Sequence, residues 1–425
     1  MMPSAMRYVY PALGLWIVLR CGTDLLKDRH NAVRTVITLL LITLFQGLNC
    51  FHFLCHGAEG NEVAVVFGYG GLAIIQWSLL LAYLLSDIRE FALESLLFFL
   101  CTVGIGAVAV TKPEEIVKQM GAIGIGVMLY TAIGWLVSNR KWTGRVGNAV
   151  AALGVILLIV TLLYGEEHYG AKSWVTIGPI SVQPSEISKV CFVYAGAAFM
   201  CRGKRGMAML MIYAVIVCAC LIWMNDFGGA VLFFSAFLVM VLLRNGVFTA
   251  LSLAALGIGT VWWRMPPHAL RRFAMWRHIW EHPLTGGYQQ TRSLMCIASG
   301  GVLGLGIGSG KMGEIFAADS DMVIATVCET WGLLVGTLTA AALAVPVLCA
   351  VKRAQRSNPF RVIAGCAGAA ILATQGALNV LGTVDLLPMT GVTLPFVSNG
   401  GTGMVAAWGF TAFIRAMERK DTWNG

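Results

Sequence analysis

The sequence predicts an all-α, polytopic integral membrane protein with about 13 transmembrane helices and one large extracellular loop. Three observations carry this reading. Of 425 residues, 58% are apolar and 12% charged, about half the charged share of a soluble protein. The apolar residues fall in blocks of roughly 16 to 25, long enough to cross hydrocarbon. Lys and Arg gather in alternate short loops. These features exclude a soluble, collagen-like, disordered or disulfide-stapled secreted chain.

The blocks begin near residues 5, 33, 63, 91, 118, 147, 186, 207, 227, 247, 321, 360 and 393. The first carries only Arg7 before the run Tyr8 to Leu19 and lacks a small-x-small cleavage site, so it is expected to stay as a span. That first block is short, and for 186–201 re-entry is the alternative to crossing. Arg20, Lys27, Arg29 and Arg34 share one loop, Arg140, Lys141 and Arg145 a second, Arg202, Lys204 and Arg205 a third. Lys352, Arg353, Arg356 and Arg361 form a fourth, and Arg415, Arg419 and Lys420 end the chain. The connections at 55–62 and 383–392 carry neither Lys nor Arg. The positive-inside bias then places the N-terminus outside and the C-terminus in the cytoplasm.

Thirty Lys and Arg against 21 Asp and Glu give a net charge of +9. With no aromatic-interleaved basic stripe, the excess fits anionic membrane lipid and not nucleic acid. The 12 cysteines are scattered without a C-x-x-C pair and read as small buried hydrophobes. Residues 264–320 make the one long excursion, on the outer side by parity. Its Arg264, Arg271, Arg272, Arg277, Arg292 and Lys311 lie where the charge bias would not put them, which points to an anionic ligand.

Several motifs compete for attention in and around that excursion. His278-Ile279-Trp280-Glu281-His282 matches a zinc-protease spacing, but Pro283 opposes a continuous helix presenting both histidines. His52 and His56 share a helix face without a third ligand. The glycine string from Gly300 to Gly310 fails the phosphate-loop pattern at Leu305 and Met312 and reads as close backbone packing. Gln183 stands where it can cap a helix that opens with Pro184 and Glu186, and Glu186 and Lys189 are expected to face each other or a polar cavity. Asp226 interrupts an apolar run. Asp321 and Glu329 lie in the outer end of a block that, as one helix to Val351, is roughly 46 Å long, so they are expected at headgroup depth and at the hydrocarbon border.

With these residues in view, the chain resembles the SEDS family (shape, elongation, division and sporulation). The likeness runs in order through Gly170-Ala171-Lys172-Ser173-Trp174 with Gln183-Pro184-Ser185-Glu186 and Lys189, then Asp226-Phe227-Gly228, then Gly287-Tyr288-Gln289 with Ser293. It continues through Ser299-Gly300-Gly301, Asp321 with Glu329, and Leu387 to Phe396 with Ser398 and Gly400-Gly401, covering residues 91–416. The family's His-Thr-Asp-Phe stretch reads Asp319-Ser320-Asp321-Met322 here, which makes Asp319 a rival to Asp321. Other departures are Met224-Asn225 for Gln-Pro and Asn399-Gly400-Gly401-Thr402 for Tyr-Gly-Gly-Ser.

The resemblance implies a ten-span core over 91–425, preceded by three added spans in 1–90. It implies a peptidoglycan glycosyltransferase that polymerises lipid II, beside a class B penicillin-binding protein, in elongation, division or sporulation. Asp321 is then the catalytic carboxylate. The implied substrate-binding residues are Lys172, Trp174, Gln183, Ser185, Glu186, Lys189, Asp226, Arg277, Tyr288, Gln289, Arg292, Ser293, Lys311, Glu329, Pro395 and Ser398. An inverting transfer needs one base for the acceptor hydroxyl and cations, or a divalent Mg or Mn ion, for the departing diphosphate. The alternatives are a flippase for the lipid-linked precursor and an inactive scaffold for the cross-linking partner.

Overall fold

The computed structural model describes residues 6–418 except 29–30, 57–59, 87, 89, 140–143, 169–170, 179, 264–266 and 356. Arg29, Arg140, Lys141, Gly170, Arg264, Arg356, Arg419 and Lys420 lie outside the described residues. The chain is mostly helical: α1 Met6–Leu26, α2 Ala32–His56, α3 Glu62–Leu85, α4 Ala92–Thr111, α5 Ile116–Ser138 and α6 Gly147–Tyr164. After strands β1 Glu166–His168, β2 Ala171–Ile177 and β3 Ile180–Val182 come α7 Pro184–Met200, α8 Lys204–Trp223, α9 Phe227–Asn245, α10 Val247–Trp263 and α11 Pro267–Met275. The last are α12 Tyr288–Gly300, α13 Val323–Arg353, α14 Pro359–Thr383 and α15 Gly401–Ala416.

Among the described residues, ten helices are long and apolar enough to cross a membrane: α1 to α6, α8, α9, α13 and α14. Three shorter helices, α7, α10 and α15, take the remaining blocks. The final block differs from expectation. Pro388 and Pro395 lack a backbone donor and Phe396 has φ 66°, so residues 384–400 stay irregular and α15 starts only at Gly401. A small antiparallel sheet in the order β1-β2-β3 also interrupts the all-helical pattern, built on Trp174, Val175 and Thr176, side chains that suit a pleated surface.

Packing divides the chain into two compact units. The first comprises Met1–Gly124, Met275–Leu348 and Gly376–Gly401. The second comprises Ile125–Ala274, Cys349–Gln375 and Thr402–Gly425. Helix α4 in the first unit and helices α7 and α15 in the second are buried nearly all round, as helices apolar on most faces must be inside a bundle.

These units cut across residue 90, because α1, α2 and α3 all pack on α4 and polar side chains tie α2 and α3 to it. Gln46 and Gln76 exchange amide hydrogen bonds at 3.1 and 3.3 Å, and Gln46 Nε2 also donates to Thr102 Oγ1 of α4 at 3.0 Å. Gln76 Nε2 donates to Thr43 Oγ1 at 2.9 Å. Both glutamines are buried, and in hydrocarbon an amide that lost these partners would find none. Trp331 Nε1 on α13 donates to Asn49 Oδ1 on α2 at 2.9 Å, a second tie between the N-terminal helices and the rest of the unit.

Replacing Gln76 by Leu takes the donor from Gln46 Oε1 while Gln46 Nε2 keeps Thr102, and is expected to lower unfolding stability by about 1 kcal/mol, with Gln46→Leu/Gln76→Leu costing less than the two single changes summed. Unfolding of the four proteins in one detergent measures this; strict additivity would mean that the amides are not coupled.

Candidate active site

The acid pair sits in an irregular turn ahead of α13, entered through Ala317 at φ 60°. Five successive carbonyls of this turn are occupied. Ala317 O accepts from Met322 N at 3.0 Å, Ala318 O from Thr326 Oγ1 at 2.8 Å and Asp319 O from Asn399 N at 2.7 Å. Ser320 O accepts from Ser398 Oγ at 2.6 Å and Asp321 O from Asn379 Nδ2 at 3.0 Å. The irregular 384–400 stretch therefore clamps the turn, and Gln119 Nε2 holds the clamp in place through Ser398 O at 3.0 Å.

The two acids differ in environment. Asp319 is 4% exposed. Lys112 Nζ lies 3.1 Å from its Oδ1 and 3.2 Å from Oδ2, and Asn399 Nδ2 donates to Oδ2 at 3.0 Å. A carboxylate so enclosed is committed to its partners. Asp321 is partly exposed, so Asp321 and not Asp319 has surface for a ligand.

The Glu329 side chain, expected at substrate, lies on backbone donors of its own unit. The helix it occupies is not one straight rod, since Gly332 breaks α13 at φ 90°. The groups freed by the break are met by the glycine string: Leu333 N donates to Gly301 O and Leu334 N to Val302 O, while Leu305 N and Gly306 N donate to Glu329 O and Thr330 O. A Cβ at Gly304 would stand 2.4 Å from Thr330 O, which is why this approach needs glycine. The Glu329 side chain is 1% exposed and accepts from Lys311 N at 3.0 Å and Met312 N at 2.8 Å. It is an internal anchor for the loop, as an acid buried beside backbone donors should be.

Other expected residues of this unit divide by exposure. Arg277, Arg292 and Lys311 are exposed. Arg277 stacks on Trp276 at 5.3 Å and Arg292 on Tyr288 at 5.5 Å, which restrains both cations. Gln289 is half-buried and Tyr288 exposed. Ser293, Pro395 and Ser398 are buried, and Ser398 is spent on the clamp, accepting from Leu394 N at 2.8 Å as well as donating to Ser320 O. His278 Nδ1 meets Glu281 Oε1 at 2.9 Å in a short 3-10 turn that ends before His282, and this contact holds the exposed Glu281 carboxyl below its ordinary range. Sequence reasoning missed Lys112, Asn399 and Asn379. Lys112 alone carried a signal: a Lys at an end of α4 that charge parity places outside.

The second unit holds the rest. Lys189 Nζ and Glu186 Oε1 meet at 2.7 Å, both buried, so they face each other. Gln183 occupies the N-cap of α7, but its side chain makes no capping bond; its N–H donates to Thr402 Oγ1 at 3.2 Å. Ser185 is buried, Trp174 half-buried in β2 and Lys172 exposed. Asp226 caps α9 by accepting from Gly229 N at 2.8 Å. Burial raises its carboxyl above the ordinary 3.8, with the Gly229 N–H and Lys189 pulling the other way. The raised value means that the contribution of Asp226 to stability is full below pH 3.8 and is lost as pH rises through the folded-state value. Asp226→Asn keeps a competent cap and does not ionise, so relative to wild type it should gain thermal stability between pH 4 and 7; a constant difference across that range would remove the burial argument.

Comparison with known proteins adds to this geometry. The family model covering FtsW, RodA and SpoVE, described as cell cycle proteins, matches residues 83–422. The peptidoglycan glycosyltransferase RodA of Mycobacterium leprae is 28% identical over 93% of this chain and 90% of its own. A probable peptidoglycan glycosyltransferase FtsW of Thiomicrospira cyclica is 28% identical over 68% of this chain and 78% of its own. Among solved structures, a chain from a study of polymerization and crosslinking by a peptidoglycan synthase complex has a TM-score of 0.64 at 22% identity, covering 78% of this chain and 99% of that one. Thermus thermophilus RodA has a TM-score of 0.53 at 23% identity over 78% of this chain and 98% of its own, a likeness of fold. The chain belongs to the FtsW, RodA and SpoVE family, the SEDS family that its motifs resemble.

Proposed function

We propose that this protein polymerises lipid II into glycan strands and releases polyprenyl diphosphate, with Asp321 as the base. The chain is a peptidoglycan glycosyltransferase of cell-wall synthesis and a multi-pass protein of the bacterial cytoplasmic membrane, as its family and its apolar helices support. Its orientation, N-terminus outside and C-terminus inside, rests on the charge of the loops. A class B penicillin-binding protein is the expected partner, in line with the related synthase complex.

The observation that carries the catalytic assignment is the contrast between two neighbouring acids, one buried on a lysine and one partly exposed on a turn whose carbonyls are all held. The acceptor 4-hydroxyl oxygen bonds to the donor's anomeric carbon as the bond from that carbon to the diphosphate oxygen breaks. The hydroxyl proton passes to Asp321, and the bonding pair leaves with the diphosphate. A fixed turn keeps the carboxylate in line for this transfer without reorganisation. Arg277, Arg292 and Lys311 are exposed cations of the same unit and are assigned to the diphosphate. The second unit's Lys172, Trp174, Gln183, Ser185, Glu186, Lys189 and Asp226 remain assigned to substrate by resemblance alone.

Purified protein with labelled lipid II tests the reading. Glycan polymer is expected from the wild type, and Asp321→Asn should make none, a loss of about 10³-fold or more, while accumulating in membranes normally. Precursor crossing between leaflets without polymer would instead mean a flippase, and partner binding with neither would mean a scaffold.

A further inference from the structure

Lys112 is the residue that neither the motifs nor the mechanism uses. It ends α4: its backbone N–H closes the helix on Val108 O at 2.8 Å, and a cation there suits the helix C-terminus. Its side chain, half exposed, reaches across to both oxygens of Asp319 at 3.1 and 3.2 Å, while Asp319 is almost fully buried. The sequence separation is large, so a rigid helix end is joined to a turn that has no regular structure of its own. That turn is otherwise held mainly through its carbonyls. The Lys112 and Asn399 contacts add a hold through the Asp319 carboxylate, two residues from Asp321.

We propose that Lys112 is a positioning residue of the glycosyl transfer: acting through the buried Asp319 carboxylate, it fixes the 319–321 turn in the conformation that presents Asp321 to the acceptor hydroxyl. Without the ammonium, a carboxylate is left buried with one amide donor for company, and such a group moves toward water or takes up a proton. Either response displaces the turn. Misplacement of a base by about 1 Å costs on the order of a hundredfold in rate without a matching change in binding. Because Lys112 acts through Asp319, its loss should be repaired by removing the charge it balances. In Lys112→Gln with Asp319→Asn, two amides face each other and Asn399 still finds an oxygen to donate to. The inference rests on the reading of Asp321 as the base.

The experiment is polymerisation of labelled lipid II by purified full-length protein in bilayers, with kcat and KM for four proteins. Lys112→Gln should lower kcat about a hundredfold with KM within about threefold, and Lys112→Arg should stay within about tenfold of wild type. Lys112→Gln/Asp319→Asn should recover at least about tenfold over Lys112→Gln. Wild-type rates in Lys112→Gln, a raised KM at unchanged kcat, or a double variant no faster than the single would each overturn the proposal. If Lys112→Gln does not accumulate, the comparison is Asp319→Asn with and without it: adding Lys112→Gln should raise kcat, and a fall overturns the idea. Absence of polymer from the wild type would sink the proposed function itself, a separate result.

Discussion

Everything at the candidate site depends on one constraint, that the backbone carbonyls around the acid turn must all find donors. Ala317 to Asp321 form no helix, and a largely buried segment cannot leave five oxygens without partners. Donors come from Met322 within the turn, from Thr326 on α13, from Asn379 on α14 and from Ser398 and Asn399 in the clamp. This explains why residues 384–400 resist becoming helix. An extended, proline-bearing strand of backbone can lend donors sideways; a helix would have spent them on itself.

The same logic explains the broken helix. Gly332 opens α13, and the exposed backbone groups pair with the glycine string, whose lack of side chains lets two main chains run together. Glu329 then closes the loop by taking the Lys311 and Met312 N–H groups. A residue that reads as a functional carboxylate on chemical grounds is thereby used as an internal brace, while Lys311 leaves its side chain exposed. The departure from the family's His at position 319 has a counterpart too, since the acid placed there is matched by Lys112.

Much of the fold was legible in the sequence because a bilayer imposes simple rules: block length fixes span length, and charge punctuates the blocks. Most helices start within a few residues of the apolar blocks for that reason. The exceptions are local. The stretch from 384 to 400 is apolar enough to read as membrane but has prolines that forbid its first turns, and the small sheet over 166–182 lies outside any hydrophobic signal.

For the site, the sequence by itself determined which residues were worth examining: Asp321, Asp319, Glu186 with Lys189, Asp226 and the cations at 277, 292 and 311. It did so because ionised groups near hydrocarbon are costly and need a reason to be there. Only the tertiary structure distinguishes them by burial and partner. Asp319, Glu329 and Ser398 are buried, whereas Asp321 is partly exposed. The identity of a partner 207 positions away, Lys112 for Asp319, follows from no periodicity or motif, because long-range pairing is set by how helices pack.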